Sequence, residues 1–190
     1  GDSNRSSGIS AFNLAASPGF GQSILISSNH GVRLQDGSFI NSRTLGESNS
    51  ASISIESNRL ELEGSSVIVS DSLGKGGSGN LTINSGNIGI YGNKYASPEI
   101  DSVTAADGKG GDISITSKGS FSINGGGLIQ TLSLGSGDGG SLMIKSREIT
   151  LTGAHNGQWA TIQTRNASQG NGGDIYIKAD KSLSIIGTSE

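Results

Sequence analysis

Clustered carboxylates, histidines and exposed aromatics are the groups in this chain that could act on or hold another molecule. Acid–base cleavage of a polymer needs two carboxyl groups converging on one bond, with His or Arg as base or stabiliser. Here the 16 acidic residues are scattered along 190 positions. Glu61 and Glu63, spaced i,i+2, share one face of a strand. Two solvated glutamates in that arrangement serve solubility and edge protection. His30 lies in Asn29-His30-Gly31, which reads as a turn, and His155 lies in a loop. No catalytic residue emerges, and the expectation is a non-enzymatic protein.

Glycine-rich runs raise two other chemistries. Gly108-Lys109-Gly110-Gly111-Asp112 and Gly170-Asn171-Gly172-Gly173-Asp174 look superficially like calcium-binding nonapeptides. Those recur every nine residues, so that successive Asp converge on one ion. These runs recur about every 29 residues, and Asp112, Asp138 and Asp174 do not fall in one column. No Lys-Ser/Thr followed by a helix is present to cradle phosphate. The glycines read as corners of a repeat, with no metal and no cofactor.

The repeat itself is what must position any site. Gly108 to Ile115, Gly137 to Ile144 and Gly170 to Ile177 are copies of one block. With weaker copies included, the first apolar residues are Ile24, Ile53, Leu81, Ile113, Leu142 and Ile175, separated by 29, 28, 32, 29 and 33 residues. A second apolar stretch, marked by Val32, Leu60, Ile88, Phe121, Ile149 and Leu183, begins 7 or 8 residues later. The first two stretches alternate with period 2, as half-buried strands do. A third stretch centres on Ile40, Ile68, Ile100, Ile129 and Ile162, and from each of these to the next block is 13 residues in all five cases.

Three short strands and a Gly-rich corner describe one rung of an all-β parallel β-helix, a solenoid of about six rungs of about 28–33 residues. A propeller blade is longer, at about 40 residues, and helical repeats need a 3.6-residue period. The expected organisation is one domain over 1–190: the end of a preceding rung at 1–22, with Ala11 as its mark 13 residues before Ile24, then rungs 23–51, 52–79, 80–111, 112–140 and 141–173, then a partial rung at 174–190. Each rung is expected to bury about six aliphatic side chains, with the corner glycines adopting positive φ.

Composition fits a stack and excludes other classes. Gly and Ser number 32 and 35, and hydrophobic residues make 32%; without a repeat this balance reads as disorder. There is no Cys, so no disulfide or thiolate metal site is available. Apolar runs are too short for a membrane span, and a net charge of −3 argues against nucleic acid. With no starting Met and no leader, the chain reads as a processed product or a piece of something longer.

The run Gly-x-Gly-Gly-Asp-Ile-x-Ile at Gly108–Ile115, echoed at Gly170–Ile177, resembles the shaft repeats of filamentous-haemagglutinin-type exoproteins, particularly cyanobacterial-like versions. The resemblance spans essentially residues 8–186. It implies a right-handed parallel β-helix, an extracellular or cell-surface location, a role in adhesion and export by two-partner secretion through an outer-membrane partner. The secretion domain of that family, with its Asn-Pro-Asn-type motifs, is absent from this sequence.

One feature the repeat does not require is a pair of insertions. The distance between second and third marks is 8 in three rungs, but 12 from Ile88 to Ile100 and 13 from Ile149 to Ile162. The extra residues lie at the same corner of two rungs and include Tyr91, Asn93, Lys94 and Tyr95 in one, and His155, Asn156, Gln158 and Trp159 in the other. Between them the corner is Gly125-Gly126-Gly127. Aromatic and amide groups around a shallow floor suit the apolar face and hydroxyls of a sugar ring. The expected ligand-binding patch is therefore Tyr91, Asn93, Tyr95, His155, Gln158 and Trp159, taking surface glycans or matrix polysaccharide. The expected function is a rigid shaft of a bacterial surface adhesin. Alternatives are a filament subunit that self-associates end to end and, third, a carbohydrate-active β-helix enzyme.

Overall fold

A computed structural model describes residues 6–16, 19, 22–105, 107–153 and 159–187. Apolar alternation converts directly into strands. β1 (Gly8–Asn13), β4 (Phe39–Thr44), β6 (Val67–Ser72), β8 (Glu99–Thr104), β11 (Gly127–Ser133) and β13 (Ala160–Asn166) stack in that order as one six-stranded sheet. The opposing eight-stranded sheet holds β2 (Ile24–Ser28), β3 (Val32–Leu34), β5 (Ile53–Glu63), β7 (Leu81–Tyr91), β9 (Ile113–Ser117), β10 (Ser120–Asn124), β12 (Leu142–Thr152) and β14 (Ile175–Ile186). Every pairing between these strands is parallel, so the chain winds as a β-solenoid of about six coils.

The three stretches of each rung therefore build two sheets. In β5, β7, β12 and β14 the first and second stretches run on as one bent strand of 11 or 12 residues. In coils three, four and five an inward Ser braces the bend: Ser85 donates to the Asn87 carbonyl at 3.0 Å, Ser117 to that of Ser120 at 2.9 Å, and Ser146 to that of Glu148 at 2.9 Å, while Ala179 takes this place in β14. A hydroxyl turned back on its own backbone replaces the ladder bond that the bend interrupts.

The apolar marks stack as their spacing requires. Ile53 pairs Leu81, Leu60 pairs Ile88, and Ile40, Ile68, Ile100, Ile129 and Ile162 form one column. The first coil departs from expectation. Ile9, not Ala11, pairs Ile40, so the mark lies 15 residues before Ile24 and the following corner is two residues longer. A two-residue slip keeps every side chain on its own face.

Coils two and three each bury five aliphatic side chains rather than six, as with Ile53, Ile55, Leu60, Leu62 and Ile68 in coil two, and coil four buries four with Phe121. At about 1.5–3 kcal/mol each, they form one continuous core. The remaining inward places belong to hydroxyls: Ser70 and Ser72, Ser102 and Thr104, and Thr131 and Ser133 are fully buried. These tie the Gly-rich corner to the sheet. Thr131 donates to the Gly140 carbonyl at 2.6 Å, Ser133 to that of Gly137 at 2.9 Å, and the Gly79 N–H donates to Ser70 at 2.8 Å.

The expected positive φ is met at one corner only, and the glycines of the Gly-rich corner serve close stacking. Positive φ occurs at Gly37, Gly64, Gly125 and Gly126, all at the other corner, between the second and third stretches. In the Gly-rich corner, Gly79, Gly111, Gly140 and Gly173 form a column in which a Cβ would collide with the carbonyl of the coil below. Gly108, Gly137 and Gly170 form a second such column.

Candidate functional site

The insertions sit where the repeat places them. Tyr91 ends β7, in register with Glu63 and Asn124 on the coils either side. Its ring folds back over Gly89, at which a Cβ would strike it, and 36% of the residue stays exposed. Gly92 then packs on the Gly126 carbonyl too closely for any side chain, and its N–H donates to Asn124 at 2.8 Å. Asn93 and Ala96 exchange two backbone bonds, at 2.9 and 3.2 Å, and so pinch the insertion into a small hairpin. Asn93 Oδ1 accepts the Tyr95 N–H at 2.8 Å, which commits that oxygen to shaping the tip.

Tyr95 projects from this tip with 83% of its surface exposed, and Lys94 Nζ lies 4.5 Å from the ring centroid. A cation over an aromatic face at an exposed site is worth about 0.5–1 kcal/mol. The second insertion reaches its last residue at Trp159, which is 79% exposed and accepts the Gly127 N–H at 3.4 Å. The Gly125–Gly127 corner thus lies between the two loops, bonded to Thr152 through Gly125 and to Trp159 through Gly127. His155, Asn156 and Gln158 lie outside the described residues. What the structure brings to this corner is Tyr91, Asn93, Tyr95 and Trp159, with Lys94 added.

No family model, curated protein or solved structure matches the chain.

The other residues with chemical potential resolve into structural partners. Glu61 and Glu63 are not simply solvated: Arg33 bridges from the neighbouring coil, bonding both oxygens of Glu63 at 2.9 Å, while Arg59 pairs Glu61 at 2.5 Å. The Arg33 and Gln35 hydrogen bonds hold the Glu63 carboxyl below the usual range. His30 occupies the turn between β2 and β3, its N–H directed at Ser28 Oγ at 3.4 Å. The Asp residues of the glycine runs cap the next coil. Asn80 Oδ1 accepts the Asp112 N–H, Asp112 Oδ1 accepts that of Ser141, and Ser141 Oγ accepts that of Asp174, at 2.9, 2.8 and 3.2 Å. Among the described residues, no group of three His, Cys, Asp or Glu side chains is arranged to hold a metal ion.

A carboxyl pair not singled out by sequence lies on the outer face of the six-stranded sheet. Asp101 stands in register between Val69 and Gln130 and is only 5% exposed, with one carboxyl oxygen unpartnered. Burial first, and Glu99 second, push its carboxyl up to about 8. The available signal was Glu99, two residues before Asp101 and on the same outward face of β8.

Proposed function

We propose that this chain is a non-enzymatic, extracellular structural segment: a rigid shaft that carries exposed corner loops to glycan-bearing surfaces. The supporting observation is a pair of parallel sheets, one from β1 to β13 and one from β2 to β14, over one continuous core, with Tyr95 and Trp159 projecting into solvent at one corner. Stacked coils resist bending because each shares backbone hydrogen bonds with both neighbours. Exposed aromatic rings beside amide and cationic groups suit the apolar face and hydroxyls of sugars. The resemblance to filamentous-haemagglutinin-type shafts supports the same reading, including cell-surface display and export by an outer-membrane partner.

A glycan array and a polysaccharide pull-down test the patch. The intact chain retains a subset of glycans, and Tyr95→Ala with Trp159→Ala abolishes retention without altering the far-UV spectrum. Retention that survives both substitutions removes the patch from the proposal.

A second reading, self-association through strand addition, is favoured by the face that β14 leaves uncovered: Ile175, Leu183 and Ile185 are 46%, 51% and 72% exposed in the columns that are buried in lower coils. Further coils of a longer polypeptide or strands of a second copy would cover it equally well. Sedimentation over a hundredfold concentration range separates the two: copies that pair end to end gain mass with concentration, and a lone shaft segment does not.

A further inference from the structure

The bend in the eight-stranded sheet opens outward into a polar groove of about 410 Å³ that crosses coils one to four. Register aligns Ser27, Glu56, Asn84 and Thr116 in one column of its lining, one side chain per coil, at a step of about 4.8 Å. Among the described residues, none of these four side chains bonds to another protein group, so all four face the groove uncommitted. The backbone beneath is already paired coil to coil. Strand addition by a peptide therefore finds no free ladder here, and recognition must go through side chains repeating along the axis.

Charge changes along this column. Glu56 is the acid of coil two, Lys118 lines coil four, and the column continues above Thr116 to Lys145, with Arg147 two residues further on. Lys118 and Arg147 are exposed and have no carboxylate partner, whereas Lys178 and Lys181 on the coil above are paired with Asp180 and Glu148. The groove thus has a neutral to acidic lower half and unanswered positive charge at its upper end.

The geometry points to a linear acidic heteropolysaccharide lying along the solenoid axis in this groove. Its neutral sugars donate and accept hydrogen bonds at Ser27, Glu56, Asn84 and Thr116, and a uronate carboxylate falls between Lys118 and Arg147. Four coil steps give the occupied track a length of roughly 19 Å. A polymer charged at every unit, whether polyuronate or nucleic acid, sets an anion against Glu56. A wholly neutral glycan leaves the two cations without a partner. The site is separate from the aromatic corner and does not depend on it.

Calorimetric titration with a decasaccharide alternating glucuronate and N-acetylglucosamine tests the assignment, with dextran, oligogalacturonate and oligothymidine as comparison ligands. The expected result is binding of the alternating oligomer in preference to all three, weakened at least tenfold by Lys118→Ala/Arg147→Ala and unchanged by Tyr95→Ala. Glu56→Lys is expected to raise affinity for oligogalacturonate several-fold. All of these positions are exposed, and circular dichroism confirms that each variant folds. Absence of binding to the intact chain, an unchanged affinity in the double variant, or equal binding of oligothymidine or oligogalacturonate overturns the assignment.

Discussion

Asp101 is the residue whose environment departs furthest from its ordinary chemistry. Its carboxyl titrates at about 8 in the fold, against about 3.9 in an unfolded chain. Between those values the folded protein holds a proton that the unfolded chain has released, so stability falls as pH rises from about 4 to about 8 and is level beyond. Urea unfolding at pH 6 and pH 9 is expected to show a lower midpoint at pH 9. Asp101→Asn is expected to remove that difference and to exceed the unsubstituted chain at pH 9 by about 1–3 kcal/mol, because no buried charge remains. A variant that keeps the pH 6 to pH 9 difference refutes this cause. The residue scale is also where sequence reading reached least far. Counting along the repeat puts Tyr91, Asn93, Tyr95 and Trp159 in the stretches between second and third strands. Glu99 is local to Asp101, but Val69 and Gln130, in register with it, come from the coils on either side, and the shielding of its outward face is not visible along one strand. Lys94 over Tyr95 likewise depends on the pinched loop at Asn93 and Ala96.

At the scale of the element, hydrophobic period and constant spacing set the strands and their register, since a strand with one buried face tolerates no odd slip. Two things escaped. The first two stretches fuse into one bent strand in β5, β7, β12 and β14, and in β7 and β12 an inward Ser hydroxyl satisfies the backbone at the bend without a turn residue. The glycines of the Gly-rich corner, such as Gly111 and Gly140, answer to the coil below and not to their own φ, a demand invisible along one chain segment. This yields a matched pair of expectations. Gly111→Ala drives a methyl into the Gly79 carbonyl and is expected to cost at least about 2 kcal/mol by overpacking. Gly172→Ala has nothing within 4 Å of the new Cβ and is expected to be neutral or to stabilise by up to about 1 kcal/mol through the unfolded state. Denaturant midpoints of the two variants, measured together, decide whether stacking or backbone freedom explains these glycines. Thr131→Val keeps the shape but strands the Gly140 carbonyl. It is expected to cost about 1–3 kcal/mol, with hydrogen exchange accelerating first in the Gly-rich corner.

For the whole molecule, one core runs the length of the stack, and each coil is stabilised mainly by its neighbours. Phe121 is fully buried midway along it. Phe121→Ala is expected to cost about 3–5 kcal/mol and to lower the unfolding midpoints of coils on both sides together, as seen by a probe at Trp159 and another at Tyr95. The stacked parallel solenoid was legible from spacing, because a repeat restates the same evidence in every coil, whereas the slipped first coil and the fused strands were not. The biological role was not, since the same stacked coils serve many purposes. The proposed extracellular shaft is therefore tested most directly by the mass and location of the native polypeptide, using an antibody raised against this segment on fractionated source cells. The proposal predicts a surface or extracellular species several times larger than 19.2 kDa. A species of about 19.2 kDa confined to the cytoplasm would contradict it.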